Sequence, residues 1–254
     1  MAADRRIPTA LFGLGRIAWQ LEKDPLRNKP CSHAGAMATV RSGRHGVFHI
    51  TSICDHNTQK IRDFQKFWKQ PITCAERDYR AVFKNAIPEL AVIAVSAGSH
   101  TAIALHAIES GCRAIVLEKP MALSLSDARK IASAAERHNC QVRINFERRY
   151  HPGYVYVQRL IASQKFGELR AIRGRVLTGA SFLPESSNAI PVGPLMHDAI
   201  HWIDLLLWYV GHPEKVSARM IPAKRIRRDL RIEDTAFVQF QYPEFTATLE
   251  SGGR

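Results

Sequence analysis

The sequence of 254 residues predicts a doubly wound α/β fold with a parallel sheet, followed by a smaller α+β domain. Three observations support this fold class. Short apolar runs alternate along the first half with segments of helical spacing. A glycine-rich loop of the form G-x-G-x-x-A follows the first run, and the pattern changes beyond Arg148. We therefore expect one domain over residues 1–147 and a second over residues 148–254.

The predicted strands of the first half are short and nearly all apolar, which is typical of strands buried on both faces of a parallel sheet. In chain order they are Thr9–Phe12, Phe48–Cys54, Leu90–Val95, Ala114–Leu117 and Gln141–Phe146. Parallel neighbours need crossover connections, and the segments between these strands have the length and spacing of helices. The resulting β-α-β-α-β-α-β-α-β order over residues 7–147 indicates the Rossmann class.

The predicted helices of the first half lie in the gaps between these strands. They are a helix beginning at Ile17–Leu21, then Thr58–Trp68, Thr101–Glu109 and a helix after Ser124. The last has the clearest signals, because Ser124 and Asp127 form an S-x-x-D capping pattern. An apolar stripe that includes Ala128 and Ile131 follows at helical spacing, so we expect an amphipathic helix there.

The second half has a different pattern of elements. The predicted elements are a helix at Gly153–Ser163, a strand at Leu169–Leu177, a helix at His197–Val210, and strands at Thr235–Tyr242 and Phe245–Ser251. An irregular Gly/Pro/Ser stretch precedes Pro194. This order predicts an α+β domain with an open, mainly antiparallel sheet. No closing helix follows the last strand, so the sequence leaves open whether that sheet is complete.

Composition and charge narrow the functional classes. The N-terminus lacks the apolar run of a signal peptide, and no apolar run reaches the roughly 18 residues of a membrane span. Five scattered cysteines fit reduced thiols, so we expect a cytoplasmic protein without a membrane partner. The formal charge of +13 favours an anionic partner. The basic stretch Lys224–Arg231 lacks interleaved aromatic residues and any nucleic-acid-binding motif, so we expect no nucleic acid.

The glycine-rich loop predicts a dinucleotide site. Two glycines between a strand and a helix let the main chain approach a pyrophosphate. The expected contacts are Gly13, Leu14, Gly15, Arg16 and Ile17. An acidic residue that closes the next strand would hold the adenosine ribose hydroxyls, and Asp55 occupies that position. The sequence therefore favours NAD as the cofactor, with NADP as the alternative.

The spacing between the loop and Asp55 departs from the usual pattern. About forty residues separate Gly15 from Asp55, where roughly twenty are usual. We attribute the difference to an insertion over residues 23–46. Two interpretations remain open for it, a surface elaboration or a substrate lid that carries His33.

Glu118, Lys119 and Pro120 end a predicted strand at the edge where open α/β sheets bind ligands. With the glycine loop and the order of elements, this E-K-P sequence resembles the family of glucose–fructose oxidoreductase and inositol dehydrogenase. Segments of the second half are also similar to that family. They are Asn145–Pro152, Phe166–Leu169, Gly193–Asp204 and Glu233–Asp234.

The resemblance implies an NAD(P)-dependent oxidoreductase that acts on a sugar, cyclitol or nucleotide sugar. It makes residues 1–147 the dinucleotide domain and residues 148–254 the domain for substrate binding and homo-oligomerisation. The implied catalytic residues are Lys119, His201 and Asp198, and the implied substrate contacts are Arg149, His197, Asp198 and His201. His201 would serve as general acid and base, while Lys119 would polarise or position the same substrate oxygen. Arg149 favours an anionic substrate.

Several departures from the family pattern matter. Many members have Asp four residues before the catalytic histidine, where this chain has His197, and its Asp198 stands three residues before His201. The turn from Val95 to His100 replaces a Thr-Pro-Asn-like sequence, and we expect Ser96, His100, Glu118 and Lys119 to line the cofactor cleft. Family members are also longer, which suggests a truncated or divergent form.

Two alternatives stay open at this point. His197 and His201 form an H-D-x-x-H pattern similar to that of zinc hydrolases, but a third ligand is not evident and the glycine loop would be unexplained. We therefore expect no metal. The second alternative is a non-catalytic descendant that binds dinucleotide as a sensor or scaffold. Retention of both Lys119 and His201 argues against it.

Overall fold

The computed structural model describes residues 6–42, 45–178, 192–222 and 232–253. The chain forms two compact units, Met1–Asn145 and Phe146–Arg254, which divide close to the expected boundary. The basic stretch Lys224–Arg231 and most of the irregular stretch before Pro194 lie outside the described residues. Within the described part of the chain, no helix combines the length and apolar character needed to cross a membrane.

The first unit contains a six-stranded parallel sheet. Its strands are β1 (Ile7–Phe12), β4 (Phe48–Cys54), β5 (Cys74–Glu76), β6 (Leu90–Ile93), β7 (Ala114–Glu118) and β8 (Gln141–Asn145). Their order across the sheet is β5-β4-β1-β6-β7-β8, so the chain winds outward from β1 in one direction and then in the other. The predicted doubly wound fold is confirmed.

Among the described residues of this unit, five α-helices accompany the sheet. They are α1 (His33–Thr39), α2 (Thr58–Phe67), α3 (Tyr79–Asn85), α4 (His100–Glu109) and α5 (Leu125–Arg137). A two-stranded hairpin of β2 (Arg41–Ser42) and β3 (His45–Gly46) precedes β4. The Ser124 side chain accepts a hydrogen bond from the Asp127 main chain, which confirms the predicted N-cap of α5.

The core of this unit lies on both faces of the sheet, because neighbouring strand residues point in opposite directions. Phe12 belongs to a buried cluster with residues of α3, α4 and α5, whereas Leu11 belongs to a second cluster with residues of α1 and α2. Burial on both faces explains why the strands read as continuous apolar runs.

The expected helix at Ile17–Leu21 is wrong. The chain after the glycine loop forms irregular turns and then a short 3-10 turn at Gln20–Lys23. The side chains of Trp19 and Gln20 both donate to the Leu14 carbonyl, at 3.1 and 3.2 Å, and hold the segment in this compact form. The crossover from β1 to β4 is instead supplied by α1, which lies inside the expected insertion.

The insertion is therefore not a surface elaboration over its whole length. Ala34 and Met37 of α1 are buried in the core beside the sheet. The Glu22 side chain accepts hydrogen bonds from the Cys31 main chain and the Ser32 hydroxyl, each at 2.8 Å. Residues 33–39 thus belong to the body of the first unit.

The second unit has a four-stranded mixed sheet with the order β10-β11-β12-β9. Its strands are β9 (Ala171–Thr178), β10 (Lys215–Pro222), β11 (Glu233–Gln241) and β12 (Thr246–Gly253). Its helices are α6 (Pro152–Ser163) and α7 (Ile200–Val210), and a π-helical turn at Leu195–Ala199 leads directly into α7. Two of the three strand pairings are antiparallel, as expected, and β9 runs parallel to β12.

One face of this sheet packs against α7. Val238 and Phe240 of β11 are buried with Leu206 of α7, while Phe237 and Gln239 point to the opposite, exposed face. The Trp202 indole packs so closely on Gly174 of β9 that an added Cβ would overlap it. This contact fixes α7, and with it His201, on the sheet.

Candidate functional site

Gly13 directly follows β1, at the point where the order of the strands reverses, between β1 and β6. Open α/β sheets bind ligands at such a switch point. Its φ of +83° favours glycine, and an added Cβ would lie 2.5 Å from the Ala94 carbonyl oxygen and 2.8 Å from the Val95 nitrogen. By contrast, an added Cβ on Gly15 meets nothing within 4 Å. Gly13 is therefore required by the fold, whereas Gly15 leaves space beside the loop.

Asp55 holds the glycine loop from within the protein. Its buried carboxylate accepts a hydrogen bond from the Leu14 main chain at 2.8 Å and one from the Asn57 main chain at 2.9 Å. The Lys60 ammonium lies 3.7 Å from the same carboxylate. The carboxylate has further lone pairs that can accept hydrogen bonds from a ribose. Ribose binding by Asp55 stays a prediction.

Glu118, at the end of β7, is the centre of a buried polar network. Its Oε1 accepts from His33 Nε2 at 2.8 Å and from Asn145 Nδ2 at 2.7 Å. Burial by itself would raise the pKa of Glu118, but hydrogen bonds from His33, Asn145 and the Lys119 main chain outweigh it and lower the pKa. Glu118 is therefore an ionised acceptor that fixes the chain at Lys119.

His100 braces the neighbouring loop. The buried ring lies with Nδ1 2.8 Å from the Pro120 carbonyl oxygen and Nε2 3.1 Å from the Val95 carbonyl oxygen. A neutral imidazole has one N–H and can donate to one of them, whereas the doubly protonated ring donates to both. The structure thus gives His100 two main-chain partners, and cofactor contact by this ring stays a prediction.

The remaining predicted cofactor residues of the first unit lie at the surface or near it. Arg16 and Ser96 are exposed, and Ile17 and Lys119 are partly buried. Ser96 directly precedes the 3-10 turn Ala97–Ser99, beyond the end of β6. Their contacts with a dinucleotide stay predictions.

In the second unit, His201 lies in the first turn of α7 with its side chain buried. Its Nδ1 is 3.7 Å from Glu147 Oε2, and its ring meets the Phe146 ring edge-on at 6.0 Å between centroids. Glu147 was not among the predicted site residues. It belongs to the Asn145–Pro152 segment, and the resemblance of that segment to the family is the sequence feature that could have identified Glu147.

His197 and Asp198 lie on the π-helical turn before α7. His197 Nδ1 is 3.1 Å from Asp198 Oδ2, and the two side chains are 50% and 28% exposed. Asp198 was expected to be catalytic together with His201, whereas the structure places Asp198 beside His197 and Glu147 beside His201. π-Helical turns inside helices are frequent at functional sites. The catalytic role of Asp198 stays a prediction.

Arg149 forms a bidentate ion pair with Asp204 of α7. Its Nε and Nη2 donate to the two carboxylate oxygens at 2.7 and 2.6 Å, and the Asp204 side chain is buried. This pair raises the pKa of Arg149, although partial burial opposes the shift. Asp204 stands one turn after His201, so the pair stabilises the helix that carries the histidine. Substrate binding by Arg149 stays a prediction.

Removing the guanidinium should destabilise the second unit. We expect Arg149→Met to lower the free energy of unfolding by about 2 kcal/mol, less than the ~3–5 kcal/mol for a fully buried pair, because solvent partly screens Arg149. Urea denaturation measures this change. Arg170→Met is the matched control, since the Arg170–Glu168 pair is exposed, and it should have no measurable effect. Equal losses in both variants would contradict this account.

A carboxylate also fixes the start of the π-helical turn. Glu233 Oε1 accepts a hydrogen bond from the Leu195 main chain at 2.9 Å. Gly193 makes room for this side chain, because an added Cβ would overlap the Glu233 carboxylate. A negative charge at this end of a helix is favourable. Glu233 therefore helps to place the segment that carries His197, Asp198 and His201.

The zinc alternative gains no support. Among the described residues, no group of three or more His, Cys, Asp or Glu side chains could hold a metal ion. A catalytic zinc site needs three protein ligands. His197 and His201 also differ in environment, since the first is half exposed and the second is buried.

Two family models match consecutive parts of the chain. Residues 8–146 match a model described as an oxidoreductase family with an NAD-binding Rossmann fold. Residues 154–253 match the GFO/IDH/MocA C-terminal domain. Together the two models cover both units.

Curated relatives are similar over part of their length. Inositol 2-dehydrogenase of Salmonella typhimurium (strain LT2) is 27% identical over 146 residues, which cover 57% of this chain and 42% of that protein. Oxidoreductase P35 of Formosa agariphila is 28% identical over 202 residues, covering 72% of this chain and 60% of that protein. The chain thus spans about half the length of these relatives.

Solved structures share the fold. Myo-inositol 2-dehydrogenase from Lactobacillus plantarum superimposes with a TM-score of 0.80 at 19% identity, covering 98% of this chain and 70% of that one. The WlbA dehydrogenase from Bordetella pertussis, in complex with NADH and UDP-GlcNAcA, has a TM-score of 0.78 at 22% identity, covering 98% and 67%. Both likenesses concern the fold.

Proposed function

The chain belongs to the Gfo/Idh/MocA family of oxidoreductases, and we propose that it transfers a hydride between a nicotinamide dinucleotide and a hydroxyl or keto group of a sugar, cyclitol or nucleotide sugar. The observation that carries this proposal is the glycine loop at the switch point of the sheet. Gly13 lets the main chain turn there, and the space beside Gly15 allows close approach of a pyrophosphate.

The residues of the first unit fit NAD. Gly15, Arg16 and Ile17 would hold the pyrophosphate with main-chain N–H groups, because those of Gly13 and Leu14 donate within the protein. Asp55 would accept hydrogen bonds from the adenosine ribose. Because the Asp55 carboxylate is buried and would repel a 2′-phosphate, we propose NAD rather than NADP. Because the positively charged Lys60 side chain lies near the same carboxylate, NADP is the competing cofactor that the experiments must test.

We assign the proton chemistry to His201 and the placement of the substrate oxygen to Lys119. The bound nicotinamide would supply the hydride acceptor or donor. A histidine changes its charge near neutral pH, so His201 can take the hydroxyl proton during oxidation and return it during reduction. The Glu147 carboxylate near Nδ1 stabilises the imidazolium that results. The Lys119 ammonium stabilises negative charge that develops on the oxygen.

The substrate class follows from charge and from the relatives. The chain carries a formal charge of +13, which favours an anionic substrate. Nucleotide sugars are therefore the first substrate class to test. The structurally similar WlbA dehydrogenase was solved in complex with one of them, UDP-GlcNAcA. Cyclitols come second, since one relative is an inositol 2-dehydrogenase.

Binding and turnover test this function separately. NAD and NADP are titrated by calorimetry, and we expect the tighter dissociation constant for NAD. Nucleotide sugars, free sugars and inositols are then screened by the absorbance of reduced nicotinamide. NAD binding without turnover on any of them would favour the sensor or scaffold alternative, and failure to bind either dinucleotide would overturn the proposal.

We propose self-association through the exposed face of the second sheet. Phe237 is 46% exposed on that face, beside Arg175 and Arg219. Burying such an aromatic side chain on a partner would be favourable. Light scattering after size-exclusion chromatography measures the mass, and Phe237→Ser should shift an oligomer toward the monomer.

The cytoplasmic location expected from the sequence stays a prediction.

A further inference from the structure

His33 connects the insertion to the end of β7. Its Nε2 lies 2.8 Å from Glu118 Oε1, although the two residues are 85 positions apart in the chain. Both side chains are 11% exposed, so the contact is largely shielded from water. An ionised carboxylate can only accept a hydrogen bond, so the His33 ring must donate from Nε2.

Glu118 connects the His33 contact to Lys119, which is the next residue in the chain. Asn145 Nδ2 of the neighbouring strand donates to the Glu118 carboxylate at 2.7 Å. Carboxylates that lose hydrogen-bond donors in a buried setting reorient or become protonated. The position of Lys119 therefore depends on the donors that hold Glu118.

The other end of this connection is the segment after the glycine loop. The His33 main chain donates to the Ile17 carbonyl at 3.0 Å, and the Ala34 main chain donates to the Ala18 carbonyl at 2.9 Å. Ser32 caps α1 by accepting from the Gly35 main chain at 3.1 Å. One residue of the insertion thus contacts both the dinucleotide loop region and the Glu118–Lys119 strand end.

We propose that His33 is a positioning residue for Lys119, acting through the Glu118 carboxylate, and that the insertion serves to deliver it. The inference rests on the proposed function of Lys119. His33 does not need to touch substrate or cofactor. Its task is to keep Glu118 oriented so that the Lys119 main chain, and hence the ammonium, stays in its productive position.

Three variants separate this role from simple folding of the insertion. His33→Leu removes the donor, His33→Gln keeps a side-chain N–H of similar reach, and Ser32→Ala weakens the cap of α1 without removing a Glu118 partner. We expect His33→Leu to lower kcat about tenfold to a hundredfold, since small misplacements of catalytic groups have effects of that order. The dissociation constant for NAD should change less than threefold. His33→Gln should restore most of the rate, and Ser32→Ala should leave kcat within about twofold.

A measurement that does not depend on activity follows the Lys119 ammonium. Reductive methylation with ¹³C-formaldehyde labels the lysines, and the Lys119 signal is assigned by its absence from Lys119→Arg. We expect the signal to shift in His33→Leu and in Glu118→Gln, and to keep its position in His33→Gln and Ser32→Ala. The double variant His33→Leu/Glu118→Gln should show no larger shift than Glu118→Gln, because both changes break one connection.

The outcomes distinguish the inference from the function on which it rests. An unmoved Lys119 signal in folded His33→Leu would overturn the inference even if the wild-type protein oxidises a sugar. A rate loss in Ser32→Ala equal to that in His33→Leu would also overturn it, because His33 would then act only through folding of the insertion. If the wild-type protein binds no dinucleotide, the proposed function fails, while the Lys119 signal still reports on the connection.

Discussion

Replacing Lys119 with methionine is expected to lower kcat by about 100- to 1,000-fold, the range seen when one stabilising donor is lost from a developing oxyanion. Methionine keeps much of the length and apolar stem of lysine but removes the charge. The NAD dissociation constant should change little, since the proposed work of the ammonium is on the substrate oxygen. Steady-state kinetics and calorimetry measure the two quantities.

The matched control is Lys130→Met on α5. Lys130 is an exposed lysine that pairs with Asp127 at 2.8 Å, and its replacement should not change kcat. His201→Asn should lower kcat about as strongly as the Lys119 variant, because asparagine cannot exchange a proton near neutral pH. If the Lys119 variant lost cofactor affinity and rate in equal measure, Lys119 would be a cofactor-binding residue and the assignment would be wrong.

Local signals predicted much of the first unit correctly. The strand pattern, the S-x-x-D cap at Ser124 and the glycine at the end of β1 each depend on residues close in sequence. The helix expected after the glycine loop is absent because of side-chain and packing contacts that helical spacing does not include. Side chains of Trp19 and Gln20 capture the Leu14 carbonyl, and α1 from the insertion fills the space beside the sheet. Helical spacing does not reveal such competing contacts.

The candidate site shows the same difference between features that short sequence motifs predict and contacts that they do not reveal. Lys119 and His201 were predicted from short motifs, whereas contacts over long sequence distances determine the surroundings of the candidate site. His33 meets Glu118 across 85 positions, and Arg149 meets Asp204 across 55. Arg149 was predicted to contact substrate because a cation favours an anionic partner. In the structure its guanidinium pairs with the Asp204 carboxylate, a partner that the sequence did not reveal, and substrate contact stays a prediction.

Gly13→Ala is expected to abolish measurable NAD binding and to destabilise the first unit. The φ of +83° disfavours any residue with a Cβ, and that Cβ would lie 2.5 Å from the Ala94 carbonyl oxygen, a main-chain atom that cannot rotate away. The backbone conformation alone costs about 1–3 kcal/mol, and the overlap adds to it. Thermal unfolding and calorimetric titration with NAD report the two effects.

Gly15→Ala is the decisive companion, because it separates binding from folding. An added Cβ there meets nothing within 4 Å, so the melting temperature should stay at the wild-type value. If a pyrophosphate uses that space, the same methyl group should weaken NAD binding at least tenfold through steric exclusion. A variant that keeps both stability and full NAD affinity would show that the dinucleotide does not bind at this loop, whatever the result for Gly13→Ala.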